Sequence, residues 1–136
     1  MMKVLVDTPI WSLAFRKKDT NQINNTIKNL TDLIRNGDIA IIGSIRQEVL
    51  SGISDKNKFN ELKDKMSIFY DYDIQTTDYE FAAECSNECR RNGIQGSHTD
   101  FLICAVSIKN GWEIFTEDVD FFEYKKHIPI KIYTLK

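Results

Sequence analysis

Two hydrophobic patterns alternate along the chain. Val4-Leu5-Val6 is a continuous apolar run closed by Asp7, and Ile39-Ala40-Ile41-Ile42 is a second. Both read as strands buried on two faces. Trp112 to Phe115 forms a third strand, and a weak one is expected around Tyr72 to Gln75. Ile130 to Leu135 alternates apolar and polar positions just after Pro129, which suits an edge strand.

Between these runs the apolar residues recur every three or four positions. Ile23, Ile27, Leu30 and Ile34 mark one helix, with Gly37 as its stop. Phe59, Leu62, Met66 and Phe69 mark another, and Phe81, Cys85 and Cys89 a third that ends at Gly93. Phe101 to Ile108 is almost wholly apolar and predicts a central buried helix, stopped by Gly111. Cap signals precede several of these. Thr8-Pro9 offers a hydroxyl cap with proline at the first helical position. Ser44 with Gln47 predicts the start of a short helix holding Glu48, and Thr77 with Glu80 predicts a second capping box. Ser97 with Asp100 predicts a third, in which Asp stands where Glu is usual. Strands that alternate with helices predict an α/β fold with a mainly parallel sheet covered on both faces.

Composition narrows the class. The 136 residues make one domain's worth of chain, read as a single domain over 1–136. Lys and Arg number 18 against 20 Asp and Glu, a net charge of −2, which rules out a general polycation. Any attraction for nucleic acid must come from local patches. A chain this long buries roughly two-thirds of its unfolded surface and needs no disulfide or structural metal. Cys85, Cys89 and Cys104 are odd in number, set in apolar surroundings and not spaced as CxxC, so they read as small core residues in a reducing compartment. Val4 to Val6 falls far short of a signal-peptide core, and no apolar run approaches the ~20 residues of a membrane span. The expectation is a soluble cytoplasmic protein with no membrane partner.

Four acids occupy one kind of place on this map. Asp7 ends the first strand, Glu48 lies in the helix after the second, Asp100 opens the buried helix, and Asp118 follows the strand ending at Phe115. Ligand sites of open α/β sheets gather beyond the carboxyl ends of the strands, so these residues are expected around one crevice. Clustered carboxylates repel and raise one another's pKa, and a hard divalent cation such as Mg²⁺ or Mn²⁺ relieves this. Such an ion activates water and stabilises charge on a phosphodiester. Each acid taken singly is also an ordinary helix-start residue favoured by the helix dipole. Four after successive elements are the signal.

At these residues the sequence resembles PIN-domain ribonucleases, in particular the VapC-type toxins of toxin–antitoxin pairs. Val4-Leu5-Val6-Asp7-Thr8 with Trp11 resembles the opening motif, and Arg46 to Gly52, around Glu48, the second. Asp100 to Ala105 resembles the third, preceded by Arg91-Asn92-Gly93, and Thr116 to Phe121 the fourth. The resemblance implies a three-layer α/β/α fold and a Mg²⁺-dependent endoribonuclease acting on RNA, with Mn²⁺ as a substitute. It further implies a homodimer and a small cognate antitoxin partner. Carried across, Asp7, Asp100 and Asp118 are metal ligands, Glu48 orients or activates water, and Thr8 supports the site by hydrogen bonding. Two positions depart from the pattern: Pro9 replaces a small polar residue, and Cys104 a usual alanine. Thr-x-Asp spacing selects Asp118 over Asp120, which is expected to cap or begin the next helix.

Other readings compete. His98 and His127 suggest metal-free acid–base cleavage, but they lie in unrelated segments. A haloacid-dehalogenase-like, Mg-dependent phosphatase requires a second Asp where Pro9 stands. A receiver domain requires paired early acids and a late strand-end Lys, a pattern that cannot be placed here. A non-catalytic PIN-like module binding RNA or protein would be favoured by loss of one or more acids, and all four are present. Arg16-Lys17-Lys18, Arg90-Arg91 and Lys125-Lys126 are short basic clusters, each ordinary surface unless it borders the crevice. Trp11 and Phe15 share a helical face and read as core.

Overall fold

Val4, Leu5 and Val6 form strand β1, buried on both faces at the middle of the molecule. The computed structural model describes residues 2–15 and 24–136. The expected Arg16-Lys17-Lys18 cluster and Ile23 lie outside the described residues. After β1 come α1 (Thr8–Phe15), α2 (Asn25–Arg35), β2 (Ile39–Ala40), α3 (Gly43–Leu50), α4 (Lys56–Met66) and α5 (Thr76–Arg91). Then follow α6 (His98–Asn110), β3 (Glu113–Phe115), α7 (Asp120–Tyr124) and β4 (Lys131–Ile132).

The four strands pair in the order β2-β1-β3-β4, every pair parallel, in a sheet flanked by helices. This is the α/β fold the sequence predicts, with β4 at an edge. The chain runs from β1 out to β2 and later returns past β1 to β3. The strand order therefore reverses at β1, and ligand crevices form where it does so. Register then fixes the site. Val6 lies opposite Phe115, so the residues that follow, Asp7 and Thr116, leave adjacent strands side by side. The Asp7 N–H donates to the Phe115 carbonyl at 2.9 Å.

Helix α6 carries an unbroken buried stretch from Phe101 to Ser107 against α5 and the sheet, as its apolar run predicts. Trp11 is buried, its indole N–H donating to the Val6 carbonyl at 3.1 Å, and it stacks on the half-buried Phe15. Cys85, Cys89 and Cys104 are free and buried, and burial pushes the Cys85 thiol up to about 11.

The helix starts differ from expectation in ways that matter for the site. The Thr8 hydroxyl does not cap α1; the Asp7 carboxylate accepts the Thr8 N–H instead. Helix α3 begins one residue before Ser44, with Ile42 as its cap residue and no side-chain cap. The box before α5 is formed by Gln75 and Asp78 rather than Thr77 and Glu80. Only the Ser97 cap stands as predicted, accepting the Asp100 N–H at 3.0 Å. The strand expected at Tyr72 to Gln75 reduces to one bridge between Asp71 and Ile41, because Gln75 is already committed to capping α5.

Candidate metal centre

The four predicted acids line one groove of about 720 Å³ beyond the strand ends, together with Thr8 and Ser44. Each arrives from a different element. Asp7 links β1 to α1, Glu48 sits on α3, Asp100 in the first turn of α6, and Asp118 between β3 and α7.

Asp7 is only 4% exposed, and both its oxygens are held. Oδ1 accepts the Thr8 N–H at 2.8 Å and Oδ2 the Thr116 hydroxyl at 2.8 Å. The same Thr116 oxygen accepts the Asp118 N–H at 3.0 Å, and Asp118 Oδ1 accepts the Asp120 N–H at 2.9 Å. One line of hydrogen bonds thus runs from the start of α7 to the Asp7 carboxylate. Burial pushes Asp7 up to about 6, against the opposing effect of its two hydrogen bonds, and the nearby charges of Asp100 and Asp118 raise it further. Asp100 is half-buried and also raised, by burial first and by Asp118 and Asp120 after it. The Tyr124 hydroxyl, donating to its Oδ2 at 2.7 Å, and Ser97 work the other way. Glu48 is exposed and accepts the Thr8 hydroxyl at 2.6 Å. Among the described residues, no Lys or Arg pairs with any of these acids.

Three carboxylate oxygens, from Asp100, Asp118 and Asp120, lie within 4.8 Å of one another. Asp120 was expected only to cap or start a helix. It does open α7, but the turn at Thr116 to Asp120 brings its carboxylate beside that of Asp118, and it is Asp118 that accepts the next helix's N–H. Asp7, expected among the metal ligands, lines the same groove but stands outside this tight group, with both oxygens drawn to Thr8 and Thr116. All-oxygen anionic donors suit a hard divalent cation.

Two further residues were not legible as site residues. Tyr124 is buried and fixes Asp100. Gly96 makes room for it, since a Cβ there would meet the Tyr124 hydroxyl oxygen at 2.1 Å. The only advance signal is the glycine just ahead of Ser97. His98 and His127 line separate grooves, which removes the geometry for a histidine pair.

A family model for the PIN domain matches residues 4–127. The chain belongs to the PIN domain family. Its fold resembles that of VapBC2 from Rickettsia felis bound to a DNA fragment from its promoter, with a TM-score of 0.78 and 19% identity over 99% of this chain and 100% of that one. It also resembles DNA-bound VapBC from Salmonella typhimurium, at a TM-score of 0.75 and 15% identity over 98% of each chain. FitAcB from Neisseria gonorrhoeae matches at 0.72 and 17% identity over 96% of each. Among curated proteins no sequence match is found. Identities this low speak for the PIN fold. The resemblance to VapC-type PIN proteins read from the sequence stands, and no helix among the described residues is long and apolar enough to cross a membrane.

Proposed function

We propose that this PIN protein is a metal-dependent endoribonuclease, a VapC-like toxin that hydrolyses RNA phosphodiester bonds in the cytoplasm. The observation that carries the reading is the group of Asp100, Asp118 and Asp120 oxygens within 4.8 Å, in a groove shared with Asp7 and Glu48 and paired with no cation among the described residues. Asp7, Asp100, Asp118 and Asp120 would hold Mg²⁺ or Mn²⁺. The bound ion would supply charge neutralisation for the phosphate and a water of lowered pKa.

The chain's own residues do the rest. Thr116 holds Asp7, and Tyr124 holds Asp100, so neither carboxylate has to reorganise as charge develops. Glu48 keeps one oxygen on the Thr8 hydroxyl and offers the other to water. As the water oxygen bonds to phosphorus and the bond from phosphorus to a ribose oxygen breaks, Glu48 takes the water's proton and the leaving ribose oxygen takes a proton from solvent water. The assembly proposed is one PIN domain over 1–136, paired as a homodimer and inhibited by a small antitoxin; the VapBC and toxin–antitoxin complexes of similar fold support the antitoxin partner.

The test is cleavage of a structured RNA by antitoxin-free protein. Cutting with Mg²⁺ or Mn²⁺ and none in chelator is the expected result. Undiminished cutting in chelator removes the metal reading.

A further inference from the structure

A second groove, of about 600 Å³, continues from the acidic one and shares Ser44, Gln47 and Thr99 with it. It runs between α3, α5 and the start of α6. On α5 its wall is one helical face, with Tyr79 at one end, Arg90 at the other and Ala82, Ala83, Ser86 and Asn87 forming the trough between. His98 lines it at the start of α6.

Three observations set this groove apart. First, no carboxylate among the described residues lines it, in a chain with 20 Asp and Glu. Second, its cation is uncommitted among the described residues. Among the described residues Arg90 has no acidic partner, whereas its neighbour Arg91 is paired with Glu88. Tyr79 is 59% exposed, a large ring left in water. Third, the Ser44 hydroxyl oxygen is buried at the junction of the two grooves with no hydrogen-bond partner among the described residues. The fold bears the desolvation of that hydroxyl without using it, and buried polar atoms ordinarily find a partner.

An aromatic ring, an unpaired guanidinium and unpaired polar side chains beside an anion-cutting site match one ligand chemistry. Unstacked bases lie on aromatic faces, and phosphates take Arg. A duplex keeps its bases stacked on one another and cannot use Tyr79 in this way. We propose that this groove is the track for single-stranded nucleotides flanking the scissile phosphate, with Tyr79 stacking on a base, Arg90 bonding a phosphate, and Ser44 and Gln47 hydrogen-bonding the nucleotide at the junction. The inference rests on the ribonuclease reading and gives its substrate as unpaired RNA. The strand's negative charge then meets Arg90 on the way to the metal-binding acids.

The experiment measures the affinity of the full chain for a fluorescent, unstructured RNA oligonucleotide in chelator, together with KM and kcat for its cleavage in Mn²⁺. Tyr79→Ala is expected to weaken binding and raise KM about tenfold with kcat little changed, and Tyr79→Phe to retain wild-type values. Arg90→Gln is expected to weaken binding and lower the salt slope by about one. The sedimentation coefficient should be the same in all variants. Unchanged affinity and KM in both Tyr79→Ala and Arg90→Gln overturn the proposal. A changed sedimentation coefficient in Tyr79→Ala also overturns it and makes this face an interface between copies of the chain. Tyr79-dependent binding in a protein that never cuts RNA would remove the nuclease reading and keep the track.

Discussion

Two aspartates are buried among the described residues, and their surroundings are opposite. Asp78, 0% exposed, lies where α5 meets α6. Its carboxylate accepts the Gln75 N–H at 2.8 Å and the Lys109 ammonium at 2.9 Å. Burial alone would raise its pKa, but the Gln75 N–H, Lys109 and Tyr72 together hold it below the usual carboxylate range. Asp7 is nearly as buried, yet its charged neighbours are Asp100 and Asp118, and it is pushed up to about 6. One acid is satisfied by the fold. The other is held in place while its charge is left uncompensated, as a cation-binding site requires. The difference is what the proposed metal site requires: Asp78 is neutralised within the fold, and Asp7 is not.

Substitution should separate the two at once. Asp100→Asn, in the same groove as Asp7, should lower RNA cleavage on the order of 10²-fold or more, because a metal-holding charge is lost. Its unfolding midpoint should hold. Asp78→Ala should leave cleavage per folded molecule intact and cost about 2 kcal/mol of stability, by stripping the cap from α5 and two hydrogen bonds from a buried site. Cleavage assays and urea titrations on both variants check this. A stable but inactive Asp78→Ala would erase the distinction.

Acid titration sharpens it further. A raised folded pKa means that ionised Asp7 disfavours the folded state. That cost is fully present above about 6, is relieved as pH falls and the folded protein binds a proton first, and has gone below the ordinary 3.8. Its full size is at most about 3 kcal/mol. In the metal-free protein Asp7→Asn should therefore be more stable than wild type at pH 7, by about 1 kcal/mol once the weaker bond to Thr116 is counted. The gain should vanish near pH 4. Asp78 has the opposite sign: its lowered pKa stabilises the fold at neutral pH, and that contribution is lost as pH falls through the folded value. Thermal unfolding of both proteins across this range measures the crossing, and a gain that persists at pH 4 would contradict the assignment.

How much of this was legible in the sequence depends on the range of each signal. The strand at Val4 to Val6 and the buried helix from Phe101 were legible, because burial on all sides leaves an unbroken apolar run, and the strand expected at Trp112 to Phe115 is found at Glu113 to Phe115. The four acids were legible because parallel sheets bring successive strand ends to one edge. Cap positions were not. Whether Ser44 or Gln75 caps a helix depends on the backbone one residue earlier, and nothing in the residue types records it. Asp120 opens α7 as expected, but its closeness to Asp118 was not legible, because an irregular turn, with no period, sets the two carboxylates side by side. Nothing local singles out Asp78, because its partner Lys109 comes 31 residues later, on the next helix. Arg46 is similar: it ties α3 to the Met66 and Phe69 carbonyls and to Asp71, contacts that no local pattern announces.

The smallest expected effect tests whether the unpaired charge of the cluster is positioned as well as exposed. Tyr124 donates its hydroxyl to Asp100 Oδ2 at 2.7 Å, and the ring packs on Phe101 and Phe121 with centroids 4.9 and 5.3 Å away. Gly96 leaves the space the hydroxyl occupies. Tyr124→Phe removes one oxygen and keeps the packing, so the fold should survive. Asp100 would keep its charge but lose a donor that favours the charged form and fixes its direction. A hydrogen bond to a carboxylate is worth about 1 kcal/mol or somewhat more, which corresponds to about a fivefold rise in the Mn²⁺ concentration giving half-maximal cleavage. The rate at saturating Mn²⁺ should change less than about twofold, since the ion itself then orients the carboxylate. Titrating Mn²⁺ against both proteins separates the two effects. An unchanged half-saturation point would make the Tyr124 hydroxyl a packing detail and leave Asp100 positioned by α6 alone.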